Sequence, residues 1–302
     1  MKLEGKRILV TGASGALGGG LAMDLARRNT VYGVARFNNL GAVDELRAAG
    51  VDPIKKDVGT DSLEDLPNDI DYIFHFAGVL TWDAERDRGY TMAVNSYSLG
   101  RMMRRYPKIK GFIQASSGAI YKFQQRAIRE ADPLGAEDGT YSISKIAAEA
   151  VGAFASEQWG IPTVFLRIFQ TYGPRGGPTT RRVRMVAEGK EIPVYPNDPN
   201  PSCPLYITDF VRLAENSVTH CTVPPTAVNM GGTELVSFKE YLDMAGRYLG
   251  VEPKILPSLT AHRAIYPDTT LMVQLLGKPQ VSVDEGIRLV VEENFPERVV
   301  KE

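Results

Sequence analysis

The sequence predicts an α/β chain: a Rossmann-type, doubly wound parallel sheet with a smaller C-terminal substrate-binding lobe. Three observations predict it. Short apolar runs alternate with helical patterns through the first half. A glycine-rich turn, TGASGALGGG, follows the first of those runs. After about Tyr172 the pattern changes to loops rich in proline and glycine, YGPRGGP and YPNDPNPSCP.

Taken in order, RILVTG is a continuous apolar run and reads as the first strand. Leu17, Leu21 and Leu25 then recur every four residues and mark a helix face. TVYGVAR is the second strand, and VDELRAAG is a short helix closed by Gly50 at its C′ position. DPIKKDV is the third strand. YIFHFAG and GFIQASS are the fourth and fifth, with a helical stretch from Tyr90 to Arg105 between them. SISKIAAEAVGAFASEQWG is a long helix closed by Gly160, and TVFLRIFQ is the sixth strand. Such alternation implies a parallel sheet covered by helices on both faces. Further helices are expected at Arg181–Glu188, Asp209–Val218, Phe238–Leu249 and Val283–Glu293. A strand near 227–231, in AVNMGG, is expected to return to the sheet. Residues 1–172 with that strand form the expected dinucleotide-binding domain, and 173–302 mainly the lobe over the sheet's carboxyl edge.

The chain has 302 residues, 43% apolar and 24% charged, with a net charge of −1. That balance gives no electrostatic case for nucleic acid or a membrane surface. The two cysteines, Cys203 and Cys221, match no metal or redox spacing, and the three histidines form no metal site with spaced carboxylates. His75, inside the fourth strand, reads as structural. The uncharged stretch Ile8 to Met23 is too rich in glycine for a signal segment. No other run approaches the ~20 apolar residues of a membrane span. A cytoplasmic protein without a metal is expected.

The chemistry is carried by three stretches. Gly12, Gly15 and Gly18 have TGxxGxxG spacing at a strand-to-helix turn. Gly12 permits the turn, Gly15 lets the backbone approach a pyrophosphate, and Gly18 lets helix and strand pack closely. Ser14, Ala16 and Leu17 share that loop. YSISK puts Tyr141 and Lys145 four residues apart on one helix face. ASSGAIY offers Ser116 and Ser117 at the end of the fifth strand. A phenol titrates near 10 when unperturbed, and a neighbouring lysine cation is expected to lower it towards the working range. A serine hydroxyl can hold the substrate oxygen as it becomes a carbonyl.

TGASGALGG, HFAG, ASSGAIY, YSISK and LRIFQTYGP resemble the extended short-chain dehydrogenase/reductases of the NAD-dependent epimerase/dehydratase group. YITDFVRLAE and NMGGTELVSFKEY resemble that group's substrate-lobe segments, so the resemblance spans nearly the whole chain. It implies Ser117 as catalytic serine, Tyr141 as acid–base and Lys145 as its activator and nicotinamide-ribose ligand. It puts Asp57 and Val58, ending the third strand, along the adenine, and Phe76, Ala77 and Gly78 under the cofactor. Asn95 supports the active site, and Ala115 and Ile168 complete the cofactor set. The resemblance stands beside a candidate substrate set of Ser117, Gly118, Ala119, Gln170 and Thr171, with Trp82 as a stacking face, Thr81 as a contact to a hydroxyl and Arg175 as a loop cation. It also implies a small-molecule substrate and a homodimer, paired through the helices that follow Asn95 and carry Tyr141.

Two features depart from the common pattern. Arg36 ends the second strand, where NAD users carry an acidic residue for the ribose. A guanidinium there suits a 2′-phosphate, and Asn38 and Asn39 could add donors, so NADP is expected over NAD. On the substrate side, Gln170 stands in place of asparagine, Ser202 and Cys203 in place of Arg-Asp, and Leu271 in place of a basic residue. These losses argue against a standard UDP-sugar site, although Arg175 or the cluster Arg181, Arg182 and Arg184 could substitute. The expected activity is hydride transfer at a hydroxyl-bearing carbon of a sugar or nucleotide sugar. Dehydration is disfavoured because SSGAIYKFQ lacks an Asp-Glu pair. The alternatives are an NADP-dependent carbonyl reductase or dehydrogenase acting without a nucleotide handle, and a non-catalytic cofactor-binding sensor.

Overall fold

The structure is a computed structural model and describes residues 2–38 and 41–299. Its central sheet holds seven parallel strands: β1 (Arg7–Thr11), β2 (Thr30–Ala35), β3 (Val51–Lys55), β4 (Tyr72–His75), β5 (Gly111–Ser117), β6 (Thr163–Ile168) and β7 (Thr226–Met230). Their order is β3-β2-β1-β4-β5-β6-β7. The winding reverses between β1 and β4, so the loops at their carboxyl ends diverge and leave a crevice. Every residue of β5 and β6 is buried. That explains why both read as unbroken runs rather than as alternation.

The principal helices are α1 (Ala16–Ala26), α2 (Gly41–Ala48), α3 (Ser98–Arg105), α4 (Gly139–Trp159), α5 (Pro178–Ala187), α6 (Ile207–Asn216), α7 (Phe238–Leu249) and α8 (Val283–Asn294). Leu21 and Leu25 of α1 pack with Phe210 and Leu213 of α6 on one face of the sheet. Leu99, Met102 and Met103 of α3 pack with Ala155 of α4 on the other. A third cluster joins Val183, Leu242, Ile287 and Val291 from α5, α7 and α8, whereas α6 and β7 pack in the first cluster with the sheet. Gly50 and Gly160 close their helices at φ +85° and +64°, as their C′ positions require. Among the described residues, no helix is long and apolar enough to cross a membrane.

One expected element has other bounds than its sequence suggests. The third strand is Val51–Lys55 rather than 52–58, so Asp57 and Val58 lie in the turn beyond it. The Asp57 carboxylate accepts from Gly59 N at 2.9 Å, which folds the chain away from the sheet. The stretch from Tyr90 to Arg105 is helical throughout, as expected. A π-helical turn, Ala93–Tyr97, separates Arg88–Met92 from α3 and carries Asn95.

One buried ion pair ties α4 to the sheet. Arg167, next to the last residue of β6, donates to Glu149 of α4 at 2.9 and 2.7 Å. Ser116 of β5 donates to the same carboxylate at 2.5 Å, and Arg167 also donates to Tyr121 Oη at 2.6 Å. The Arg167→Met substitution strands the buried Glu149 carboxylate and is expected to cost about 3–5 kcal/mol of stability. Urea unfolding measures it, and a loss below about 1 kcal/mol would show that the pair does not hold helix to sheet.

Candidate active site

The carboxyl ends of β1, β2, β4, β5 and β6 open into one cleft of about 1510 Å³. The glycine turn forms its floor. Gly12 has φ +70°, and a Cβ there would lie 2.6 Å from Phe76 O. A Cβ on Gly18 would lie 2.5 Å from Gly12 O. The turn therefore admits no side chain at either position. No side chain caps α1, whose N-cap is Gly15, so its first amides face the cleft without an internal partner from that residue. These amides and the glycine cradle fit the pyrophosphate of a dinucleotide.

Lys145 and Tyr141 lie on the same face of α4, as their spacing predicts. Lys145 Nζ stands 5.9 Å from the centre of the Tyr141 ring and donates to Ala115 O at 2.9 Å. The lysine is buried, and burial pushes its pKa down from 10.5 to about 8, with the Glu149 charge pulling the other way. Ser117 ends β5, and its hydroxyl accepts from Ala119 N at 3.2 Å. The Tyr141 phenol is pushed up, not down as the sequence reading expected. Burial dominates there, the neighbouring Ser117 hydroxyl lowers the value, and the charge of Asp138 adds to the rise.

The start of α4 has an unexpected partner. Asp138 at the N-cap makes no side-chain capping bond. Glu85, from the loop VLTWDAERDRGY, accepts from Thr140 N at 2.6 Å instead. That bond, with the second interaction at Thr140, lowers the Glu85 pKa. A carboxylate there also complements the helix dipole. Asn95 locks the other side: its amide donates to Val79 O at 3.0 Å and to Ser144 Oγ at 2.9 Å, and its oxygen accepts from Val79 N at 2.7 Å. These bonds consume the amide, and Asn95 does not line the cleft. It positions the loop after β4 against α4 rather than touching a ligand. His75 is fully buried between Thr11 and Ser98, at 3.0 and 2.9 Å, and burial pushes it down to about 3. It is a structural residue, as the sequence suggests.

The other expected cofactor residues line the cleft: Ser14, Ala16 and Leu17 on the turn, Arg36, Asp57 and Val58 at the β2 and β3 ends, and Phe76, Ala77, Gly78, Ala115 and Ile168 along its wall. Asn38 does not line it, and Asn39 lies outside the described residues. Arg36 donates to Tyr90 Oη at 2.9 Å, and Tyr90 in turn donates to Asp57 Oδ2 at 2.6 Å. Sequence reasoning missed Tyr90, whose only signal was an aromatic at the start of the predicted helix.

On the substrate side Thr81, Trp82, Gly118, Ala119, Gln170 and Thr171 all line the cleft, with Trp82 59% exposed at its mouth. Gln170 accepts from Ser202, so two of the departures from the family pattern are bonded to each other. Arg175 lines the cleft too, but it pairs with Glu45 of α2. Its Nη2 lies 3.1 Å from where a Cβ on Gly19 would stand. It therefore sits over α1, at the dinucleotide end rather than the substrate end.

A glycine cradle at the reversal of a parallel sheet, with serine, tyrosine and lysine beside it, defines an extended short-chain dehydrogenase/reductase. The chain belongs to the NAD dependent epimerase/dehydratase family, whose model matches residues 8–231. It is 27% identical over 266 residues to an uncharacterized UDP-glucose epimerase of Bacillus subtilis (strain 168), covering 80% of this chain and 83% of that one. Its fold is similar to the UDP-glucuronic acid 4-epimerase from Bacillus cereus in complex with NAD (TM-score 0.82, 23% identity, 95% and 96% of the two chains). It is also similar to a UDP-N-acetylglucosamine 4-epimerase from Methanobrevibacter ruminantium M1 (TM-score 0.87, 18% identity, 98% and 100%). The Bacillus cereus structure holds NAD, and nothing in the fold favours NADP over NAD. One of the Arg36 guanidinium donors is already spent on Tyr90.

The depressed Lys145 value carries a stability signature. Its folded value, about 8, lies below its ordinary 10.5. Between those values the folded chain binds fewer protons than the unfolded chain, so the contribution of Lys145 to stability rises with pH there. Wild type should gain stability relative to Lys145→Met between about pH 7 and pH 10. A constant gap in urea unfolding free energy would contradict the buried, depressed lysine.

Proposed function

We propose that the chain is a nicotinamide-dinucleotide-dependent oxidoreductase or epimerase acting at a hydroxyl-bearing carbon of a sugar or nucleotide sugar. The observation that carries this reading is the convergence of Ser117, Tyr141 and Lys145 on the cleft that also holds the glycine turn. A bound nicotinamide ring supplies the hydride acceptor and donor. The rest is done by the chain. Tyr141 takes the hydroxyl proton as the alcohol is oxidised and returns it in the reverse direction. Ser117 holds the oxygen while it becomes a carbonyl. Lys145, anchored on Ala115 O, presents positive charge beside the ring of Tyr141 and favours its phenolate against the burial that opposes it.

The cleft exceeds the ~300–1,000 Å³ of ordinary ligand sites, which suits a dinucleotide with a sugar substrate. In an epimerase the keto form turns within that space before reduction, and in a dehydrogenase it leaves. No Asp-Glu pair follows Ser117, where Gly118 and Ala119 stand, and this disfavours dehydration. NAD is the expected cofactor, since Arg36 is tied to Tyr90 and the Bacillus cereus structure holds NAD. A homodimer is part of the same reading. It is supported by exposed Tyr97, Ile143 and Phe154 (58, 50 and 66%) on the π-turn and α4.

The Tyr141→Phe variant tests the mechanism. Turnover with nucleotide sugars should fall at least about 100-fold. Fluorescence titration should show NAD bound at least as tightly as NADP, and unchanged by the substitution. Full turnover in the variant would refute the acid–base role, and tighter NADP binding would restore the expectation drawn from Arg36.

A further inference from the structure

The segment after β4 touches three parts of the molecule. Val79 is bonded to Asn95 through both its amide and its carbonyl. A short helical turn, Thr81–Ala84, follows and puts Thr81 and Trp82 on the cleft. Further on, Tyr90 meets Arg36 and Asp57 at the dinucleotide end. Glu85 is the residue after the turn. Its Oε1 accepts from Thr140 N at 2.6 Å, and its Oε2 accepts from Arg88 Nε at 2.8 Å. Thr140 is the residue before Tyr141.

The contact is shaped from both sides. Gly139 has φ +59°, and a Cβ there would stand 2.6 Å from Glu85 Oε1, so the glycine leaves the carboxylate its place. The Asp138 side chain makes no capping bond and leaves Thr140 N to Glu85. The turn behind Glu85 is fixed as well. Ala84 is buried, and its carbonyl accepts from Thr91 Oγ1 at 2.9 Å. A charge that only offsets a helix dipole needs no fixed partner, whereas here one oxygen is seated on one amide. Glu85 itself does not line the cleft.

We propose that Glu85 is a positioning residue. It clamps the Thr81–Ala84 turn to the start of α4, so that a substrate lying against Thr81 and Trp82 is held in register with the Tyr141 phenol. This rests on the reading of the cleft as an oxidoreductase site. It adds which residue sets the distance between the substrate-facing turn and the acid–base group. Such a distance matters, because a misplacement of about 1 Å can cost about 100-fold in rate.

Amide hydrogen exchange of the NAD-loaded protein tests the clamp, in wild type, Glu85→Ala and Glu85→Gln. The Glu85→Ala variant should exchange roughly 5- to 10-fold faster, the equivalent of a lost helix cap, both in residues 139–144 and in residues 80–84. Glu85→Gln keeps an acceptor oxygen at the same reach and should recover most of the protection. The central sheet should exchange as in wild type in both variants, which shows that the fold is intact. Faster exchange in only one of the two segments, or in neither, would overturn the proposal, and so would equal exchange in Glu85→Gln and Glu85→Ala. With UDP-glucose and UDP-glucuronate as probes, kcat of Glu85→Ala should fall about 10- to 100-fold while KM changes less than about threefold. A kcat unchanged by Glu85→Ala would also overturn it. The exchange measurement needs no substrate and decides the clamp for any sugar the cleft takes. Failure of the oxidoreductase reading would look different: Tyr141→Phe would keep full turnover while the exchange result stood.

Discussion

The buried pair between Glu149 and Arg167 is the constraint on which the site depends. It joins α4 to β6 and, through Ser116, to β5, within a region that excludes water. Two buried charges are costly to desolvate, and such pairs often add little net stability. What this one contributes is register. Glu149 lies one helical turn beyond Lys145, so the pair fixes the rotation of α4 that turns Tyr141 and Lys145 towards the end of β5. Ser116 bonds to Glu149, and the next residue, Ser117, lines the cleft at the end of β5.

Around that anchor, several polar side chains are spent on geometry. Asn95 ties the loop after β4 to α4, His75 is held neutral between Thr11 and Ser98, and Glu85 closes the start of α4 in place of its own N-cap residue. At the dinucleotide end the charges are similarly satisfied, with Arg36 on Tyr90 and Arg175 on Glu45. At the substrate end Gln170 and Ser202 are bonded to each other.

The sheet, the glycine turn and the order of serine, tyrosine and lysine were legible because each follows from local pattern: apolar runs, a turn that excludes Cβ atoms, and i,i+4 spacing. Strand ends were less so, since Asp57 closes its turn through its own carboxylate, which continuous β-like residues do not reveal. The direction of the Tyr141 shift was misread because burial is set by elements far apart in the chain. The partners of Arg36, Arg175 and Gln170 lie 54, 130 and 32 residues away, beyond any spacing rule. One long-range signal was available: Arg167 inside an otherwise apolar strand implied a buried carboxylate.

The central claim is that this cleft moves a hydride reversibly at a hydroxyl-bearing carbon. Its most direct test is to mix the protein with NAD and UDP-glucuronate or UDP-glucose, following reduced-nicotinamide absorbance and sugar configuration together. The account predicts either an isomerised sugar with no net reduced cofactor or an oxidised sugar with stoichiometric reduced cofactor. Unchanged sugar and unchanged cofactor with both compounds bound would contradict it.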